Sequence, residues 1–105
     1  MLHLGLNCRD ATGRDLKRFL REATPFYESL PGVGIRLLQS LDRPGRFIEI
    51  VEYDSERALQ LDDARLSQDP QMRAFIAQWR DLLIEPPEVE RYLDLTAEIK
   101  DGGSQ

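Results

Sequence analysis

Two periodicities of apolar side chains divide the chain into strand-like and helix-like segments. Apolar and polar residues alternate along 2–8, 34–41, 46–53 and 88–95, which is the period of two that β-strands have. Between the first and second of these segments, and again between the third and fourth, apolar residues recur every three or four positions, as on one face of a helix. The pattern therefore predicts the element order β-α-β-β-α-β.

The second helical region contains two start signals. Ser55 can cap a helix, and Asp69-Pro70 combines a capping side chain with a proline at the first helical position. We therefore expect this helix to be split near Asp69-Pro70. Its second part has the strongest helical spacing of apolar residues in the chain: Met72, Phe75, Ile76, Trp79, Leu82 and Leu83.

The middle strands are predicted to form a hairpin around Asp42-Arg43-Pro44-Gly45, because proline and glycine favour a turn there. A four-residue loop pairs Leu41 with Arg46. A shift of one residue would exchange the two faces of the hairpin. With the pairing as predicted, one face carries Ile35, Leu37, Leu41, Ile48 and Ile50, and the other carries Arg36, Leu38, Ser40, Phe47, Glu49, Val51 and Tyr53.

This element order is that of the ferredoxin-like α+β folds, in which two helices cover one face of an antiparallel sheet. We predict one such domain over 1–96 and a flexible C-terminal tail over 97–105. The face without helices is expected to carry apolar side chains that need a cover. A second copy of the sheet is the simplest cover, so the chain is predicted to be a homodimer. The apolar residues assigned to this face are Leu38, Phe47, Val51 and Tyr92.

Composition narrows the possible partners and the compartment. The 105 residues include 14 Lys and Arg against 19 Asp and Glu, for a net charge of −5. This charge argues against nucleic acid as a partner. No apolar run approaches the roughly 20 residues that span a bilayer, and the N-terminus does not have a signal-peptide pattern. A single cysteine, Cys8, cannot form an internal disulfide, so we expect a cytoplasmic protein without a membrane partner.

The chain resembles the dimeric α+β barrel superfamily, and within it the small domains of the antibiotic-biosynthesis-monooxygenase type. The resemblance extends from residue 2 to about residue 95 and includes a polar residue in the first strand. Its other markers are Pro31-Gly32 before the hairpin, the third strand 47–53, Asp69-Pro70, Trp79, and Pro86-Pro87 before the last strand.

The resemblance implies a cofactor-independent monooxygenase-like protein. Members of that family bind small, often aromatic molecules between sheet and helices, and the monooxygenases oxidise anthrone-like substrates through Asn, Trp and Tyr side chains without metal or flavin. An electron-rich phenolate can itself reduce oxygen, so no cofactor is expected. The matching catalytic candidates are Asn7 and Trp79, with the phenol supplied by Tyr27, Tyr53 or Tyr92. Of these three, Tyr53 is assigned to catalysis and the other two to ligand binding.

Haem degradation is not expected, because relatives with that activity place a haem-ligating histidine on the late helix. Here the only histidine is His3, and residues 70–84 contain none. One histidine and one cysteine also cannot build a usual zinc site, so no metal site is predicted.

Several further residues are candidates for contact with a small aromatic ligand. His3 is the only histidine of the chain, and histidine is a residue type that often acts as a general base. Arg36 and Glu49 are predicted to share a sheet face, where they form an ion pair or hold a polar ligand. The alternative function is a non-catalytic module on the same dimer that binds a small ligand or a protein. The remaining ligand-binding candidates are Phe47, Val51, Tyr27 and Tyr92.

Overall fold

The computed structural model describes residues 1–101 and confirms the α+β fold with an antiparallel sheet. Four strands form the sheet in the order β2-β3-β1-β4. The helical region after the hairpin is divided into two helices, as predicted. The elements are β1 (Leu2–Asn7), α1 (Arg14–Tyr27), β2 (Val33–Gln39), β3 (Arg46–Tyr53), α2 (Glu56–Gln68), α3 (Pro70–Asp81), β4 (Glu88–Arg91) and α4 (Thr96–Asp101).

Local side-chain chemistry accounts for the division between α2 and α3. The Ser55 hydroxyl accepts a hydrogen bond from the Ala58 amide at 3.1 Å and begins α2. The Asp69 carboxylate accepts one from the Gln71 amide at 2.8 Å, and Pro70 occupies the first turn of α3. Both caps satisfy amides that have no partner within the helix.

The sheet has a helix-facing face and an open face, and β1 shows how the sequence assigns them. Leu4 and Leu6 lie on the helix-facing face, where Leu6 is fully buried in the core. His3 and Asn7 lie on the open face because successive strand residues point to opposite sides. The predicted alternation of β1 is therefore confirmed.

The hairpin register differs from the prediction by one residue. β2 ends at Gln39, which pairs with Phe47, and Leu38 pairs with Ile48. The connection spans residues 40–45 instead of 42–45. Its first residue, Ser40, accepts hydrogen bonds from the amides at positions 42 and 43, at 3.3 and 3.0 Å, and so belongs to the turn rather than to the strand.

This shift corrects the faces assigned to several residues. Phe47 and Val51, predicted to lie on the open face, lie on the helix-facing face and are 1% and 8% exposed. Arg36 and Glu49 do not share a face, and Arg36 instead pairs with Glu52 across the open face at 3.2 Å. Leu38 does lie on the open face.

The core lies between the helix-facing face and the helices. Gly13, which precedes α1, has a positive φ of 73°, and a Cβ at this position would overlap the Phe47 ring. Glycine is therefore required there both for the backbone conformation and for close packing. Helices α1 and α3 supply the other large groups of the core: Leu16, Phe19, Leu20, Tyr27, Met72 and Trp79.

The C-terminal region differs from its prediction in the length of its last strand. The last strand, predicted over 88–95, ends at Arg91. Helix α4 overlaps the start of the segment predicted as a flexible tail and reaches Asp101, and residues 102–105 lie outside the described residues. The flexibility of this segment stays a prediction. Within residues 1–101, no helix is long and apolar enough to cross a membrane.

Candidate functional site

A cavity of about 240 Å³ lies between the helix-facing face of the sheet and helices α2 and α3. Strands β1 and β2 contribute only apolar side chains to its wall. Polar groups come from the other elements and are few. The apolar lining includes Leu2, Leu4, Val33, Ile35, Val51, Leu66, Met72 and Ile76, and the polar groups belong to Tyr27, Glu49, Tyr53, Asp62, Trp79 and Arg80.

Glu49 and Trp79 form the first polar pair in the cavity. The Trp79 Nε1–H donates a hydrogen bond to Glu49 Oε1 at 3.1 Å, and the two residues are 6% and 4% exposed. Burial raises the pKa of the Glu49 carboxyl to about 7, although the hydrogen bond from Trp79 acts in the opposite direction. The carboxyl can therefore gain or lose a proton near neutral pH.

Asp62 forms the second polar pair, with Arg65 one helical turn later. Asp62 Oδ1 lies 2.8 Å from Arg65 Nη2, and Asp62 Oδ2 accepts a hydrogen bond from the Tyr53 hydroxyl at 2.5 Å. The Arg65 guanidinium also donates to the carbonyls of Phe26 and Tyr27, at 2.9 and 2.7 Å. These hydrogen bonds join α2 to the end of α1, and the ion pair with Arg65 compensates the buried charge of Asp62.

The two tyrosines of the cavity stay protonated. Burial is the main cause that raises the pKa of Tyr27, with the charge of Glu49 adding to it. Burial also raises the pKa of Tyr53 well above its usual value, and the hydrogen bond to Asp62 adds to the effect. At neutral pH both phenols are hydrogen-bond donors and not bases.

Five of the ten candidates from the sequence lie together in this cavity. They are Trp79, Tyr53, Glu49, Val51 and Tyr27. Two of them, Trp79 and Tyr53, are catalytic candidates. The other three were assigned to ligand binding.

The other catalytic candidate, Asn7, is not in the cavity. Its side chain is on the open face and donates to Glu85 Oε1 at 2.5 Å, so the structure does not bring it next to Trp79. Phe47 is buried in the core and does not line the cavity either. The catalytic role of Asn7 remains a prediction.

The remaining three ligand-binding candidates are also outside the cavity. The rings of His3 and Tyr92 pack against each other on the open face with centroids 4.3 Å apart. Arg36 is paired with Glu52 on the same face. No three His, Cys, Asp or Glu side chains within residues 1–101 are grouped as they would be around a metal ion.

The sequence analysis missed Asp62, Arg65 and Arg80 as site residues. A signal for Asp62 is present in the helix pattern, because Ala58, Asp62 and Leu66 are spaced by four residues and therefore share one helix face. An acid in an apolar stripe needs a partner, and Arg65 stands three positions later. The same spacing is present for Arg80, because Met72, Ile76 and Arg80 of α3 are also four residues apart.

Comparison with known proteins gives matches only among solved structures: no family model and no curated protein matches the chain. A candidate antibiotic biosynthesis monooxygenase from Nitrosomonas europaea aligns with a TM-score of 0.71 and 18% identity over 90% of this chain and 88% of that one. Another from Bordetella bronchiseptica aligns with a TM-score of 0.68 and 18% identity, over 89% and 95%.

SnoaB, a cofactor-independent oxygenase from Streptomyces nogalater, aligns with a TM-score of 0.66 and 13% identity, over 89% of this chain and 91% of that one. The chain has the fold of these structures. The predicted resemblance to the antibiotic-biosynthesis-monooxygenase type of domain is thereby confirmed for the architecture. Identities of this size establish the fold alone, so activity has to be argued from the cavity.

Proposed function

We propose that this protein binds a small aromatic molecule in the cavity and oxidises it with O2 without a bound cofactor. The observation that carries the proposal is the apolar cavity itself, because it lies between the sheet and helices α2 and α3 and contains the Glu49 carboxyl and the Trp79 indole. A few polar groups in an apolar pocket are the usual composition of a small-molecule site. The cofactor-independent SnoaB, which has the same fold, supports the reaction class.

The cavity volume sets the size of the ligand. A cavity of about 150 Å³ holds benzene, whereas pockets for drug-sized molecules have volumes of about 300 Å³ or more. The observed volume of about 240 Å³ lies between these values. It suits a compact molecule of two or three fused rings, which is the size of an anthrone or a naphthoquinol.

The reaction that fits these groups begins with an anion of the substrate. An electron-rich phenolate or anthrone anion can reduce O2 directly, so the protein has to bind the molecule, assist loss of its proton and stabilise the charge. The apolar wall supplies binding. Arg80, the only cation among the described residues that line the cavity, supplies a counter-charge for the anion.

A homodimer formed through the open faces is part of this proposal, as is a cytoplasmic location. On the open face, Leu38 and Tyr92 are 44% and 45% exposed. After β4, the exposed fractions of Leu93 and Ile99 rise to 82% and 76%. A second copy would remove these apolar groups from water. Native mass spectrometry at micromolar concentration should show two copies, and a monomer would contradict the dimer.

The test of the function uses dithranol, an anthrone, as the probe. Trp79 is the only tryptophan of the chain, so its fluorescence reports whether dithranol occupies the cavity. An oxygen electrode measures turnover in the same samples. We expect quenching with saturable affinity together with O2 uptake that depends on the protein.

A matched pair of variants locates the site. Ile76→Phe adds a ring inside the cavity and should weaken both quenching and O2 uptake, whereas Ile84→Phe makes the same change at a side chain that is exposed and outside the cavity. Equal effects of the two variants would contradict the proposed site. Binding without O2 uptake would favour the alternative function, a non-catalytic module for small ligands.

A further inference from the structure

Glu49 differs from Asp62, the other carboxylate that lines the cavity, in lacking a counter-ion. Its side chain is almost completely buried, and within residues 1–101 no Lys, Arg or His forms an ion pair with it. The Trp79 indole is its one hydrogen-bond donor in that part of the chain. A buried carboxylate without a cation is costly for stability, so its presence in an apolar cavity points to a function.

We propose that Glu49 is the catalytic base, whose carboxylate takes the acidic proton of the aromatic molecule bound in the cavity. This inference rests on the proposed function and extends it to a residue and to a substrate class. The class consists of aromatic molecules with a weakly acidic O–H or ring C–H, such as phenols, hydroquinones and anthrones.

The geometry around Glu49 suits a base. Its position on β3, between β1 and β2 in the sheet, makes its backbone rigid. Trp79 holds Oε1, so the side chain has a defined orientation while Oε2 is left without a hydrogen-bond donor in residues 1–101. A ligand in the cavity can supply the missing donor, which is the arrangement that a proton transfer requires.

The other ionisable groups that line the cavity are less suited to this role. Asp62, from α2, already accepts hydrogen bonds from Arg65 and from Tyr53 of β3. Tyr27 of α1 and Tyr53 stay protonated, and Arg80 of α3 is a cation. Strands β1, β2 and β4 contribute only apolar groups to the lining.

The titration of Glu49 agrees with this assignment. Burial raises the pKa of its carboxyl to about 7, in contrast to its ordinary value of 4.5. A base of this pKa is largely ionised at slightly alkaline pH and is strong enough to assist removal of a proton from a weak acid. An unperturbed carboxylate would be a weaker base by more than two pKa units.

For an anthrone, the proposed reaction is balanced with O2 as the oxidant. The ring methylene C–H bond breaks, its proton forms an O–H bond with Glu49, and the electron pair stays on the ring as the anthrone anion. One electron passes to O2, and the resulting superoxide joins the ring radical to form a peroxide. Glu49 returns the proton to this peroxide. The second methylene hydrogen is then lost while the O–O bond breaks, which releases H2O and leaves the anthraquinone.

The test separates proton transfer from oxygen chemistry. Dithranol is incubated with the full-length protein in D2O without O2, and mass spectrometry follows deuterium exchange at its ring methylene. General bases contribute about 100-fold to 10,000-fold to such steps. We expect Glu49→Gln to lower the protein-dependent exchange rate by about 100-fold or more, while Trp79 quenching still reports binding of dithranol.

Glu22→Gln is the matched control, because it removes a carboxylate from the exposed surface of α1. It should leave exchange unchanged. In air, the wild-type kcat/KM should rise with pH through an inflection near the pKa of Glu49, about 7, and Glu49→Gln should remove that inflection.

Each outcome decides between the two proposals. Exchange that is equal in wild type and Glu49→Gln would overturn the role of Glu49, even if O2 uptake confirmed the proposed function. Exchange that depends on Glu49 without O2 uptake would support the base and overturn the oxygenase function. Absence of dithranol binding in the wild type would overturn both.

Discussion

Two carboxylates line the same cavity and are buried to a similar extent, with Glu49 4% exposed and Asp62 6% exposed. Asp62 has a guanidinium at 2.8 Å and a phenol hydroxyl at 2.5 Å. Glu49 has one indole N–H at 3.1 Å. The two sites differ in their partners and not in their depth.

The difference shows that counter-charge, more than burial, determines what a buried acid can do. An ion pair that is also hydrogen-bonded satisfies the charge of Asp62 and joins α2 to α1. Burial raises the pKa of Glu49 towards neutrality, and the hydrogen bond from Trp79 offsets only part of this effect. The first arrangement is structural, and the second is suited to proton transfer.

Removal of Arg65 should have the largest effect on stability. Arg65→Met leaves the charge of Asp62 buried without a cation, and such changes cost about 3–5 kcal/mol in the free energy of unfolding. Urea denaturation at pH 7 measures the loss. The double variant Arg65→Met/Asp62→Asn should recover part of it, because the remaining side chain is neutral. A loss below about 1 kcal/mol would show that the pair behaves as an exposed one.

Glu49→Gln should increase the free energy of unfolding at alkaline pH, whereas Arg65→Met decreases it. The folded-state pKa is raised to about 7 from 4.5, so the folded state binds more protons in this interval and stability falls as the pH rises through it. The glutamine cannot ionise and avoids this loss, which amounts to about 3 kcal/mol above pH 7. Denaturation at several pH values should show the advantage at pH 8 and its decrease towards pH 4. An advantage that did not vary with pH would contradict the titration.

Trp79→Phe should show how much the hydrogen bond from Trp79 to Glu49 contributes to the free energy of unfolding. The phenyl ring preserves much of the packing but has no N–H, so an ionised Glu49 would be left without a donor at a cost of about 2 kcal/mol. The same substitution in the Glu49→Gln background should cost less at pH 8, since the side chain there is neutral. Equal costs in the two backgrounds would mean that the hydrogen bond does not interact with the charge.

Tyr53→Phe should have the smallest effect of the four changes. Asp62 keeps its ion pair with Arg65 when the phenol hydroxyl is removed, so the expected loss is about 1 kcal/mol in the free energy of unfolding. Thermal denaturation of Tyr53→Phe and of Trp79→Phe under the same conditions compares the two losses of stability directly. A larger loss than that of Trp79→Phe would reverse our ranking of the two carboxylate sites.

Much of the architecture follows from patterns that are local in the sequence. The alternation of Leu4 and Leu6 with their polar neighbours predicts both faces of β1 correctly. Ser55 and Asp69 cap the helices that they are predicted to cap, because each acts on an amide two or three residues away. Such interactions need no information about the rest of the fold.

The hairpin shows where local patterns are insufficient. Both strands alternate clearly, yet the turn begins at Ser40 and not at Asp42, and this one-residue shift in pairing moves Phe47 and Val51 to the core. Turn residues indicate that the chain reverses but do not determine the loop length when several lengths are compatible with them.

The sequence by itself determined the order of the elements, the division between α2 and α3, and the presence of an amphipathic helix that carries Trp79. Only the tertiary structure decided that this indole meets Glu49, that Asp62 receives Arg65 and Tyr53, and that Asn7 lies on the open face. The physical reason is the range of each interaction. Caps and periodicity act within a few residues, whereas the hydrogen bond between Glu49 and Trp79 joins residues 30 positions apart and depends on sheet register and helix packing together.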